Sequence, residues 1–116
     1  MYQEFEIRNN KTSHYHIGKL IDMFDVKMVS VYADGGCHCF LKNPLDVSLI
    51  GNEISIKVDE GFVTFFTKDV ISRGYYKDNE ICFDDTTLCH VCFEVNSRDM
   101  ESIVNYLIKY DAIVLS

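Results

Sequence analysis

The sequence predicts an α+β fold: a mainly antiparallel sheet of about six to eight strands with two amphipathic helices packed on one face. Three observations carry this expectation. β-rich runs come as neighbours around turn residues, at 26–33 with 37–41, at 53–58 with 62–67 and at 80–84 with 88–95, which predicts three hairpins. Two other stretches repeat their apolar residues at the helical period. A chain of 116 residues, 47% of them apolar, is enough for one core and too short for two ordinary domains, so 1–116 is read as a single α+β domain.

Residues 2–8 read as a strand with Phe5 and Ile7 on one face. The polar run from Asn9 to Ser13 turns the chain, and Thr12 or Ser13 caps the first helix through a side-chain oxygen. Ile17, Leu20, Ile21 and Phe24 then form one apolar stripe, which Gly18 weakens slightly. Asp34-Gly35-Gly36 joins 26–33 to 37–41, because glycine reaches the positive φ of a tight hairpin turn. Lys42-Asn43-Pro44 breaks the sheet, since proline cannot donate to a ladder. In 53–58 the alternation places Ile54, Ile56 and Val58 inward, and Asp59-Glu60-Gly61 turns the chain into 62–67. Lys68 to Arg73 reads as one helical turn closed by Gly74.

The third hairpin turns at Asp85-Thr86-Thr87. Its inward face takes Ile81, Phe83, Cys89, Val91, Phe93 and Val95, and its outward face Glu80, Cys82, Asp84, His90, Cys92 and Glu94. The second helix runs from about Arg98 to Tyr110, with Asn96 or Ser97 as cap. Met100, Ile103, Val104, Leu107 and Ile108 form its stripe, and 112–115 closes as a last short strand.

Composition narrows the function. The net charge of −7 repels nucleic-acid phosphates and anionic membranes and favours a basic protein as partner. No apolar run approaches the ~18 residues of a membrane span. The opening MYQEFEIRNN carries acidic residues where a signal peptide carries basic ones, so a cytoplasmic protein is expected. An odd count of five cysteines fits no disulfide framework, and free thiols are expected.

Cys37-His38-Cys39 and Cys89-His90-Val91-Cys92 have the residue types of a zinc site. Both lie in β-patterned runs, however, and on a straight strand Cys89 and Cys92 face opposite ways, so no metal and no cofactor is expected. A three-residue loop in the third hairpin would set Cys82 opposite His90 and Glu80 opposite Cys92, the one thiol–imidazole pair the spacing suggests. No oxyanion-hole glycine or acidic orienter accompanies it, so no catalytic residue is assigned. His14 and His16 read as polar residues of the first helical turn. P-loop, dinucleotide, nucleophile-elbow and His-Glu-x-x-His patterns are all missing from the sequence.

What remains is a surface. Tyr75 and Tyr76 lead into Asp78, Glu80, Asp84 and Asp85, a density of tyrosine and carboxylate that suits capture of a basic protein. Asp59 and Glu60 form a second acidic turn. The competing reading is a solvated strand edge whose charges prevent sheet-to-sheet aggregation. In size, charge and composition the chain is similar to immunity proteins that neutralise bacterial toxins. That resemblance implies a small acidic inhibitor of a basic nuclease or toxin domain. Two alternatives stand beside it: a phage-encoded inhibitor of a host defence nuclease, and a small thiol- or metal-dependent hydrolase using Cys82, His90 and nearby carboxylates.

Overall fold

The computed structural model describes residues 2–33, 37–85 and 89–116. The order along the chain is β1 (Tyr2–Ile7), α1 (Ser13–Met23), β2 (Met28–Ala33), β3 (Cys37–Lys42), β4 (Asp46–Ile50), β5 (Glu53–Val58), β6 (Gly61–Phe66), β7 (Arg73–Lys77), β8 (Glu80–Asp84), β9 (His90–Glu94), α2 (Met100–Lys109) and β10 (Ile113–Leu115). The strands form two antiparallel sheets, where the sequence suggested one. A seven-stranded sheet runs β10-β1-β7-β8-β9-β2-β3, and a three-stranded sheet runs β4-β5-β6. The α+β class stands. The expected turns at 34–36 and 86–87 lie outside the described residues.

Two strands escaped the sequence pattern. Pro44 does end the first sheet, but β4 begins two residues later and founds the second. Its Val47 and Leu49 face Ile56 and Ile54 on β5, and all four are buried. The other is β7, which starts at Arg73, where the expected helical turn would end; 68–72 form neither helix nor strand. Gly74 does not close a helix. It lies in register between Phe5 and Phe83, where a Cβ would sit 2.7 Å from Phe5 Cζ. The missing side chain lets the Phe5 ring cross the strand and meet Phe83 edge-on at 5.7 Å.

Both helices form near their expected positions, with different caps. Neither Thr12 nor Ser13 caps α1; the Asn10 Oδ1 atom accepts from the backbone N–H groups of both at 3.0 Å. An asparagine bonding backbone two and three residues ahead satisfies the same orphan donors from one turn earlier. Gly18, expected as a weakness, is a contact: a Cβ there would lie 2.6 Å from the Val47 carbonyl, so glycine lets α1 lie against β4. A 3₁₀ turn at Ser97–Asp99 leads into α2, and the Asn96 side chain does not cap it. Met100, Ile103, Val104 and Leu107 are buried, whereas Ile108 is exposed, so the apolar stripe is narrower than expected.

One core joins these elements. Phe5, Phe83 and Phe93 of the large sheet, Ile54 and Ile56 of the small one, and Ile17, Leu20, Ile103 and Leu107 of the helices are fully buried in a single cluster. No helix among the described residues is long and apolar enough to cross a membrane.

Candidate binding face

The strand registers lay out the face of the large sheet opposite this core. Directly paired residues share a face, so one row holds Glu6, Arg73, Asp84, His90, Tyr32 and His38. The middle row holds Glu4, Tyr75, Cys82, Cys92, Ser30 and Phe40, and the third Tyr2, Lys77, Glu80, Glu94, Met28 and Lys42. The middle of this outer face is buried by its own neighbours: Cys82, Cys92, Ser30 and Asp84 are closed off, while Tyr2, Glu4, Arg73, Lys77 and Glu80 around them are exposed.

A buried carboxylate needs a partner. Asp84 has one in Arg73, whose Nε donates to Oδ1 at 2.8 Å, and the His90 Nδ1 atom lies 3.8 Å from Oδ2. The hydrogen bond to Asp84 raises the Arg73 pKa further. Beside this pair the Tyr2 and Tyr75 rings stack at 5.2 Å, and the Tyr2 hydroxyl donates to Glu4 at 3.2 Å. These residues line a shallow cavity of about 310 Å³ with Gly74 and His90. Burial, then the Glu80 charge, pushes the Tyr75 phenol up, so it is a neutral donor at physiological pH.

The register of β8 with β9 corrects two expectations. Cys82 faces Cys92, Asp84 faces His90 and Glu80 faces Glu94, a shift of two residues on β9 from the expected pairing. The cause is Asp85. Fully buried, it extends the ladder to Cys89 by a backbone N–H to carbonyl bond of 3.3 Å. Its carboxylate also accepts from the backbone N–H groups of Lys68 at 3.1 Å, Asp69 at 3.3 Å and Cys89 at 3.4 Å. With 85 and 89 hydrogen-bonded, alternation puts 82 and 92 at a non-hydrogen-bonded pair, where facing side chains lie closest.

Cys82 and Cys92 are disulfide-bonded, with Cα atoms 4.0 Å apart. The expectation of five free thiols therefore fails for this pair. Cys39 and Cys89 are free. Burial, then the Asp85 charge, raises the Cys89 pKa and keeps it a thiol. The Cys37 side chain is not among those described.

This geometry removes the thiol–imidazole pair that a Cys82 hydrolase needs. Glu80, Cys82 and Cys92 bring ligand atoms within 4.8 Å of one another, but both sulfurs are taken up in the disulfide, and metals bind thiolates. The helix histidines are engaged as well: His14 Nε2 donates to the Ile71 carbonyl at 2.9 Å, and His16 Nδ1 is hydrogen-bonded to the Tyr106 hydroxyl at 2.7 Å. A larger hollow of about 460 Å³ lies along α1 and β4, between Lys11, His14, Lys19 and Asp46.

The structure divides the residues singled out from sequence. Tyr75, Glu80 and Asp84 share the outer face. Tyr76 points the other way and packs against the core. Asp78 sits in the β7–β8 turn at φ 53°, and Asp85 is inside. Asp59 and Glu60 lie on the β5–β6 turn of the other sheet. Tyr2, Glu4 and Arg73 join the face without having been singled out, beside Glu94, which the alternation of the third hairpin already turned outward. The signal for Arg73 was its alternation with Tyr75 and Lys77, hidden by the helical reading of 68–73, and that for Tyr2 and Glu4 was the alternation of 2–8. Compared with known protein families, curated proteins and solved structures, the chain matches none.

Proposed function

We propose that this chain is a small acidic binding protein that inhibits a basic, nuclease-type partner by covering it with the outer face of the seven-stranded sheet. The observation that carries the reading is the layout of that face. Glu4, Glu6, Glu80 and Glu94 surround a neutralised Arg73–Asp84 pair, with the Tyr2–Tyr75 stack beside it. Carboxylates in this arrangement imitate a run of phosphates, and stacked tyrosines give rigid contact area at low entropic cost. The reading takes both helices to cover the inner face, which leaves the outer one to a partner. It places the protein in the cytoplasm, where the Cys82–Cys92 bond is open to reduction. An immunity protein and a phage-encoded nuclease inhibitor would use such a face alike.

The test is capture from the native host on immobilised protein, followed by mass spectrometry and binding kinetics. A basic protein should be retained, and its association should slow steeply as salt rises. Glu80→Lys with Glu94→Lys should abolish retention, and Tyr75→Ala should speed dissociation. Asp85 and Tyr76 are unsuitable positions, because both hold the fold. Retention unchanged in both variants, or a captured partner that is acidic, would overturn the reading.

A further inference from the structure

β6 is an outer strand of the three-stranded sheet, and among the described residues it pairs only with β5. Its sequence, GFVTFF, has no charge and no proline, the devices that ordinarily blunt a free edge. Phe62 and Phe66 are 68% and 71% exposed, with exposed Thr64 between them. The Thr67 N–H donates to the Asn52 carbonyl at 2.8 Å, so that pair is hydrogen-bonded and the ladder alternates from it. Pairs 54/65, 56/63 and 58/61 bond within the sheet. Phe62, Thr64 and Phe66 therefore turn their own N–H and C=O groups to the open edge.

We propose that β6 pairs antiparallel with β6 of a second copy of this chain, about a two-fold axis at Thr64. In this register Thr64 faces Thr64 of the second copy, Phe62 faces its Phe66, and Phe66 faces its Phe62. Every edge-facing N–H on the three residues meets a carbonyl. On β5, Lys57 stands beside Phe62 and Glu53 beside Phe66, so each phenylalanine pair is flanked by a cation from one copy and a carboxylate from the other. Lys57 Nζ already lies over the Phe62 ring at 5.9 Å. The central row is hydroxyl throughout, with Ser55 beside Thr64 on each side. Sliding by two residues would set a phenylalanine of each copy against Thr64 and leave the other facing Glu60 or Lys68, so the Thr64 register is the one selected. The contact is isologous and closes as a dimer. The far edge of the small sheet is β4, which lies against α1, so the pairing does not propagate. The outer face of the large sheet takes no part, and the dimer stands or falls independently of the proposed partner.

Sedimentation of the whole chain at tens of micromolar should give a dimer. Thr64→Cys should form a disulfide-linked dimer under mild oxidation, because facing residues of a hydrogen-bonded pair lie about 5.5 Å apart at Cα. Wild type and Ser48→Cys on β4 should not cross-link under the same conditions. Thr64→Pro removes one edge-facing N–H and leaves the β5 ladder intact, so it should weaken the dimer by roughly tenfold or more with an unchanged circular dichroism spectrum. If that variant does not fold, Phe66→Lys carries the same test. Three results overturn the proposal: a wild-type monomer at high concentration, including one that takes a foreign extended peptide on β6; a dimer that Ser48→Cys cross-links and Thr64→Cys does not; or a dimer unaffected by both edge variants.

Discussion

In the seven-stranded sheet, the outer side chains at the centre shield one another. Cys82 is bonded to Cys92, Asp84 is paired with Arg73, and both positions are closed to solvent without a covering layer. In the three-stranded sheet the corresponding outer positions hold Ile50, Phe62 and Phe66, which stay open. Width makes the difference. β8 has strands on both sides and more beyond them, so its side chains are fenced laterally. A three-stranded sheet has one interior strand, β5, and its edge residues have a neighbour on one side only. Polar groups can therefore be buried on the outside of the wide sheet, provided they are paired, and apolar groups on the outside of the narrow sheet have nothing among the described residues of their own chain to bury them.

The comparison breaks first if the two sheets do not share one core. Leu107 and Ile56 are both fully buried, one on α2 and one on β5. Leu107→Ala and Ile56→Ala should each cost about 2–5 kcal/mol by lost contacts and the cavity left behind. Both should lower a single cooperative transition in chemical denaturation. A second, separate transition in Ile56→Ala would show that the small sheet unfolds by itself. Next in size is the anchor of the segment between the sheets, at Asp85. Asp85→Ala leaves the N–H groups of Lys68, Asp69 and Cys89 without their acceptor and should cost about 3 kcal/mol. A loss under about 0.5 kcal/mol would mean that 67–72 does not depend on it.

These positions also mark what could be read from the chain. The hairpins, the class and most of each helix stripe followed from period and turn residues, because Ile54, Ile56 and Val58 or Ile103, Val104 and Leu107 are buried on one face. Gly74 misled and Gly18 was only half read, since a glycine's use depends on what approaches it: the Phe5 ring in the first case, the Val47 carbonyl in the second. Neither neighbour is near in sequence. The register of β8 with β9 was missed for the same reason. A carboxylate that ties residues 68 and 69 to 89 is a tertiary contact, and it accompanies the shift of both predicted facing pairs between β8 and β9. The candidate face was thus half legible: its residues on β8 and Tyr75 on β7 were visible, while Tyr2 and Glu4 on β1 and Arg73 on β7 depended on a pairing between distant segments.

The staple across the wide sheet is the third test. Cys82 and Cys92 are separated by 10 residues in sequence, and closing a loop of that size contributes roughly 2–3 kcal/mol in the chain-entropy account. Cys82→Ser with Cys92→Ser should lower stability by about that amount, and added reductant should lower wild type to the same level while leaving the variant unmoved. Equal stability of wild type with and without reductant would mean that lateral packing alone closes the outer face.

The smallest effect is a pH dependence, and it separates the buried thiol from the bonded pair. The Cys89 pKa is raised above its ordinary value of 9.0 by burial first and by the Asp85 charge second. Below that value the thiol is protonated in folded and unfolded chains alike, and its contribution to stability is fully present. As pH rises past it, the unfolded chain gives up the proton while the folded chain keeps it, so the balance tilts toward unfolding. Tyr75, whose pKa is also raised by burial, acts in the same direction above its ordinary value of 10.0. Stability should therefore decline from about pH 9 upward. In Cys89→Ala the decline should be shallower between about pH 8 and 10, even though the variant starts from a lower plateau because a buried side chain is lost. Denaturant titrations of both proteins across that range make the measurement. Parallel curves would mean that the thiol ionises as easily inside the fold as outside it. The interior around Cys89 and Asp85 would then be far wetter than its burial implies.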